Sequence, residues 1–186
     1  PALVQTTAGS GPVTLNSGAT LQFEKASPTN VLILNGGTFQ SQNGWGVTWR
    51  GPVTVNSNTT LQANFSIAFS GNISGAGGFT KTSGNTVTLS GSNTYTGASV
   101  VQSGTLSCSK SASLGAGALS ISNGAVVNLN YSGTREITAL TLGGTNMAPG
   151  MYGSTSSSAT TRASSCSSRH SNTVTGSPSP RSLQRF

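Results

Sequence analysis

Glu24 and Glu136 are the only acidic side chains in this 186-residue sequence, and Asp is absent. Any general acid–base mechanism has that pair to draw on. Glycoside hydrolysis uses two carboxylates, about 5–5.5 Å apart in retaining enzymes and about 6.5–9.5 Å apart in inverting ones. Each glutamate also has a cation beside it, Lys25 and Arg135, the pattern of a solvated charge at a strand end. Nucleophilic catalysis has less material. His170 is the single histidine, so without Asp a Ser-His-Asp triad is excluded. A Cys108–His170 dyad requires the C-terminal segment to fold back on the body. One His, two Cys and two Glu match no usual metal-ligand spacing. The glycines fall at corners rather than between a strand and a helix, so no phosphate-binding loop is expected and no cofactor is called for.

Recognition has two tryptophans to use. In WGVTW, Trp45 and Trp49 lie on a strand with one side chain between them on the same side, that of Val47. Facing outward, two indoles about 13 Å apart suit alternate sugar rings of a glycan, with Arg50 as a polar hand at one end. Facing inward, they are core. A narrow interior of small aliphatics favours the outward placing. Thr54, Thr59, Thr60, Thr86, Thr88, Thr94 and Thr96 suggest hydroxyl arrays of the ice-binding kind, but in irregular columns.

The elements that position these residues come from a repeat. GPVTLNSGATLQF, which starts at Gly11, and GPVTVNSNTTLQAN, which starts at Gly51, are near copies. The same shape recurs between and beyond them: alternating apolar residues, an Asn/Ser/Gly corner, and alternating residues again. The corners fall at Gly18, Gly37, Asn58, Gly84, Gly104, Gly124 and Gly144, evenly spaced except for a longer step from Asn58 to Gly84. Alternation places every second side chain on one face of a strand. The corners need Gly or Asn for positive φ. A unit of about 20 residues cannot bury its own apolar face, whereas stacked units share a continuous core. No window has helical periodicity, and the regular step favours a parallel coil over an antiparallel sandwich.

Composition agrees with an ordered rod. Charged residues are 6% of the chain, while 33% are hydrophobic and regularly spaced. Of the nine cations, five are strung along the body and four follow residue 160, which makes no patch for specific nucleic-acid binding. A membrane-spanning helix needs about 20 apolar residues in succession. No run here approaches that length, so no membrane span is expected. An export signal, if there was one, lay upstream of Pro1 or was removed.

Gly71 to Gly115 resembles the autotransporter-associated β-strand repeat. Gly75, Gly77, Gly78, Lys81, Leu89, Gly91, Asn93, Tyr95, Gly97, Gly104 and Leu106 stand at its motif positions, with Ser83 and Ala98 departing from it. With its flanks, the resemblance covers roughly Gly11 to Ala159. It implies a right-handed parallel β-helix of bacterial surface or secreted proteins, acting as a stalk or display scaffold. No catalytic residue belongs to the repeat itself.

The expectation is therefore an all-β, right-handed parallel β-helix of about seven coils over 1–159. A basic Ser/Arg/Pro-rich tail follows over 160–186, irregular and reading as disordered or as a frame-shifted or appended end. The expected function is a bacterial surface or secreted scaffold or adhesin contacting a glycan or cell-surface polysaccharide through Trp45, Trp49 and Arg50. The alternative is a glycoside hydrolase on the β-helix with Glu24, Glu136 or both as acid/base, the pair meeting only across an oligomer interface. An uncapped last coil predicts homo-oligomers through exposed solenoid ends.

Overall fold

The structure is a computed structural model that describes residues 2–5, 10–42, 44, 46–153, 159–163 and 173–175. It is a parallel β-solenoid of about six turns, built on three sheets that run along the axis. The only helical element among the described residues is a short 3₁₀ turn at Ser111–Ser113.

The first sheet is the longest. It stacks Ala2–Gln5, Thr20–Phe23, Thr38–Ser41, Thr59–Ala63, Phe79–Thr82, Ser99–Val101, Leu119–Ile121 and Leu140–Leu142 in parallel. Thr20 faces Thr38, and the same column continues through Thr60, Thr80, Val100, Ser120 and Thr141, one residue per turn. The second sheet stacks Val13–Asn16, Leu32–Asn35, Val53–Ser57 and Ile73–Ser74. The third stacks Val47–Trp49, Ile67–Phe69, Thr86–Leu89, Thr105–Cys108 and Val126–Leu129.

Alternation drives the packing. Along the third sheet Val47, Ile67, Val87, Leu106 and Val127 form one inward column; Trp49, Phe69, Leu89, Cys108 and Leu129 form the next. Aromatic rings thread the interior. Phe23, Phe39 and Trp49 contact one another, Phe39 continues to Phe69, Phe69 to Phe79, and Phe79 to Tyr95, with centroids 5.2–6.3 Å apart. Such tilted, edge-on and stacked contacts add to the stabilisation from burial alone.

The corners read from the sequence belong to two different edges. Gly18, Gly37 and Asn58 join the second sheet to the first, whereas Gly84, Gly104 and Gly124 join the first to the third. The longer step from Asn58 to Gly84 is thus one turn plus the length of a strand. Gly144 is a third kind of corner. It closes a hairpin in which Thr145–Asn146 returns antiparallel along Leu140–Leu142. This covers the last edge of the first sheet, where an open coil was expected.

Beyond residue 159 the described residues are the strand Ala159–Ala163 and the strand Thr173–Thr175. The first pairs in parallel with Gly133–Ile137 and antiparallel with Gly150–Gly153; the second runs antiparallel to Val126–Leu129. The rest of the tail lies outside the described residues, as do Cys166 and His170.

Candidate functional site

The chemistry-bearing residues are dispersed by this geometry. Glu24 follows the Thr20–Phe23 strand, half-buried, with Gln22 Nε2 donating to its Oε1 at 3.4 Å. Glu136 is exposed on Gly133–Ile137, the strand that leads into Leu140–Leu142. Six rungs of the first sheet separate those two turns, about 29 Å at about 4.8 Å per rung. Within one chain the two carboxylates do not form a pair.

Trp49 corrects the outward reading. It is fully buried, and its indole Nε1 donates to the Asn30 carbonyl at 2.9 Å. Room exists because the facing column of the first sheet shrinks from Phe23 to Ser41 and Ala63 in successive turns. Alternation did predict that Val47 and Trp49 share a side; that side is the core. Trp45 lies outside the described residues. Arg50 is exposed where the third sheet turns toward the second. Of the threonines considered as an exposed array, Thr59 is buried, with its hydroxyl on the Ser57 carbonyl.

What the turns do bring together is a set of buried polar groups between residues 73 and 113. Lys81 stands in an inward column of the first sheet, between Leu61 and Val101. It is 1% exposed, and its ammonium donates to the carbonyl of Ser83 at 2.9 Å and of Ser103 at 2.7 Å. Ser103 belongs to the next turn, so this side chain ties two turns together at the corner. Ser83 holds a φ of 70°, unusual for a residue with a side chain. Burial pulls the Lys81 pKa down to about 8, since desolvation penalises the charged form.

Asn93 spans three turns. Its Oδ1 accepts the Ile73 N–H at 2.8 Å, and its Nδ2 donates to the Ser113 carbonyl at 2.5 Å. The side chain replaces a backbone ladder bond here. The strand pattern of the second sheet stops at Ile73–Ser74, although Thr94 and Thr96 still donate to the Ile73 and Gly75 carbonyls. Ser113 Oγ donates to the Gly91 carbonyl at 3.1 Å and receives the Lys110 N–H.

Tyr95 lies beside this cluster, its hydroxyl 2.7 Å from Ser99 Oγ. A Cβ on Gly115 would overlap the Tyr95 ring, so only glycine fits beneath it. Burial raises the Tyr95 phenol to about 12, against the opposing hydrogen bond from Ser99. Cys108, a free buried thiol, is likewise pushed up to about 12 by burial. Neither is primed as a nucleophile. A cavity of about 10 Å³ among Leu61, Phe79, Lys81, Tyr95 and Ser99 is at the lower limit for one water. No substrate has room there.

Three of these residues, Lys81, Asn93 and Tyr95, were legible as motif positions. Their chemistry is structural: Lys81 and Asn93 hydrogen-bond from turn to turn, and Tyr95 bonds Ser99 within its own turn. Ser113 carried no signal, being one serine in SKSAS.

Stacked turns with a core continuous from one to the next define the class, a parallel β-solenoid. Residues 79–107 match the family model of the passenger-associated-transport-repeat. This match and the fold together fit an autotransporter passenger-type repeat protein. No curated protein and no solved structure matches the chain. No helix among the described residues is long and apolar enough to cross a membrane.

Proposed function

We propose that the chain is a rigid segment of a secreted or surface-displayed bacterial passenger, and that it acts as an adhesin through its outer side chains rather than through an enclosed site. The observation that carries this reading is the interior: buried Lys81 and Asn93 spend their polar groups in hydrogen bonds from turn to turn, while the strands turn hydroxyl and carboxamide side chains outward. Outward strand positions of the first sheet carry no charge and suit a neutral glycan, and exposed Arg50 offers a charge-assisted hydrogen bond to such a ligand.

A glycan array tests the reading with the wild type, Arg50→Ala and Trp45→Ala. Binding by the wild type that drops in Arg50→Ala supports contact at this corner, and a drop in Trp45→Ala supports contact through that indole. Wild-type binding unaffected by both moves the contact elsewhere on the rod. No wild-type binding to any glycan ends the glycan reading and leaves the scaffold.

A further inference from the structure

We infer that Asn123 is a site of spontaneous covalent modification, converting to aspartate and isoaspartate through a cyclic imide, and that an amide ladder between turns holds back the same reaction at Asn35. Asn35–Gly36, Asn43–Gly44 and Asn123–Gly124 are the three Asn-Gly pairs in the sequence. Asn43 lies outside the described residues. The other two pairs stand at different corners, in opposite surroundings.

Asn-Gly pairs share one chemistry. The glycine amide nitrogen attacks the asparagine Cγ, and the new N–C bond closes a succinimide ring as the bond from Cγ to Nδ2 breaks. The proton of the attacking amide leaves with Nδ2 as ammonia. Water then opens the ring at either carbonyl. One opening gives aspartate; the other gives isoaspartate, whose main chain runs on through the side-chain carbonyl carbon. Nothing is oxidised or reduced, and water is the only co-reactant. Glycine is the favoured follower because it has no Cβ to obstruct the approach.

Asn123 is set up for this reaction. It is exposed at the tip of a turn closed by the Ala125 N–H on the Ser122 carbonyl at 3.0 Å. Gly124 is exposed as well, with a φ of +78°, and no atom of the described residues lies within 4 Å of where its Cβ would stand. A surface turn of this kind opens locally at little cost. The nitrogen can swing toward Cγ, and the ring has room.

Asn35 is the opposite case. It ends the Leu32–Asn35 strand. Its Nδ2 donates to Asn16 Oδ1 at 3.1 Å, and its Oδ1 accepts from Asn56 Nδ2 at 2.8 Å. Ring closure there expels the nitrogen that bonds one turn and pulls the oxygen away from the other. Gly36 is buried, with Ser17 at 3.5 Å and the Asn58 carbonyl oxygen at 3.6 Å from its Cβ position. Asn16 and Asn56 themselves precede serines, so the ladder fixes three amides that each have a small follower. Conversion at Asn123 instead adds a third acidic side chain to a sequence that has two.

The full chain, kept folded in warm, mildly alkaline buffer, is sampled over weeks and digested with trypsin. Cleavage after Lys110 and Arg135 isolates Asn123, and cleavage after Lys25 and Arg50 isolates Asn35. Fragment masses locate each amide that has become an acid, and an isoaspartyl methyltransferase marks the rearranged product. Asn123 is expected to convert at least about tenfold faster than Asn35, because ring closure at Asn35 sacrifices two hydrogen bonds. In urea, where the ladder is gone, the two rates are expected to converge. Asn16→Ala/Asn56→Ala, verified as folded by circular dichroism, is expected to raise the Asn35 rate and leave the Asn123 rate unchanged. Asn56→Ala alone serves if the pair does not fold. Equal rates in the folded wild type overturn the inference, as does an Asn123 that stays an amide while Asn35 converts in urea. A gap that persists in urea also overturns it, since local sequence rather than the fold then sets the order.

Discussion

Asn93 shows how much one side chain can carry in a solenoid. Truncating it leaves the Ile73 N–H and the Ser113 carbonyl without their partner in the interior. Asn93→Leu is expected to cost about 2–4 kcal/mol, the penalty for stranding two buried polar groups. Asn56, whose Nδ2 reaches Asn35 Oδ1 on the exposed corner, is the control: Asn56→Ala is expected to cost less than about 1 kcal/mol, since water replaces the lost bond. Urea titrations monitored by tryptophan fluorescence measure both, with an unchanged slope confirming that only stability has moved. In the sequence, Asn93 was visible as a motif position but not as a buried one. Its alternation with Tyr95 put the two on one face, yet composition argues that an amide faces water. Lys81 posed the same conflict, sharing a face with Phe79. In both cases the period was right and polarity misled, because corner carbonyls and a missing ladder bond supplied partners that no local pattern displays.

The strands were legible because their alternation is strict, and the turn length was legible because near copies recur at a regular step. The corners were harder. Second-to-first and first-to-third corners use the same Gly/Asn/Ser vocabulary, since both need a tight reversal, so a single series appeared to run through them. The longer gap between Asn58 and Gly84 was the sign that the series had changed edges. The two central corners also differ in tolerance. Gly104 has a φ of +67°, and a Cβ there would stand 2.5 Å from the Gly84 carbonyl oxygen; around Gly84 itself the space is open. Gly104→Ala is therefore expected to cost about 2–4 kcal/mol from strain and overlap together, and Gly84→Ala less than about 1 kcal/mol. Thermal melts of the two single variants provide the comparison. Reversed ranking would mean that this corner is not held by the turn stacked against it.

At the scale of the molecule, three buried titratable groups set a pH profile. Lys81 is lowered from 10.5 to about 8. Its burial penalty is fully present below pH 8 and is relieved as pH rises to 10.5, so it makes stability increase over that window. Cys108, raised from 9.0 to about 12, acts oppositely: its stabilising contribution is intact below pH 9 and is lost between 9 and 12. Tyr95, raised from 10.0 to about 12, adds to that loss above pH 10. The expected profile rises from about pH 8, peaks near pH 9 to 10, and falls steeply beyond. Lys81→Met is expected to remove the rising limb, as measured by urea midpoints at each pH. A rising limb that survives the substitution would assign it to another group. The hairpin at Gly144 has a consequence of a different kind. The Thr145–Asn146 strand runs against the direction of every strand stacked before it, so the parallel register of the first sheet cannot be continued from that edge. End-to-end growth of this sheet in its own register stops here.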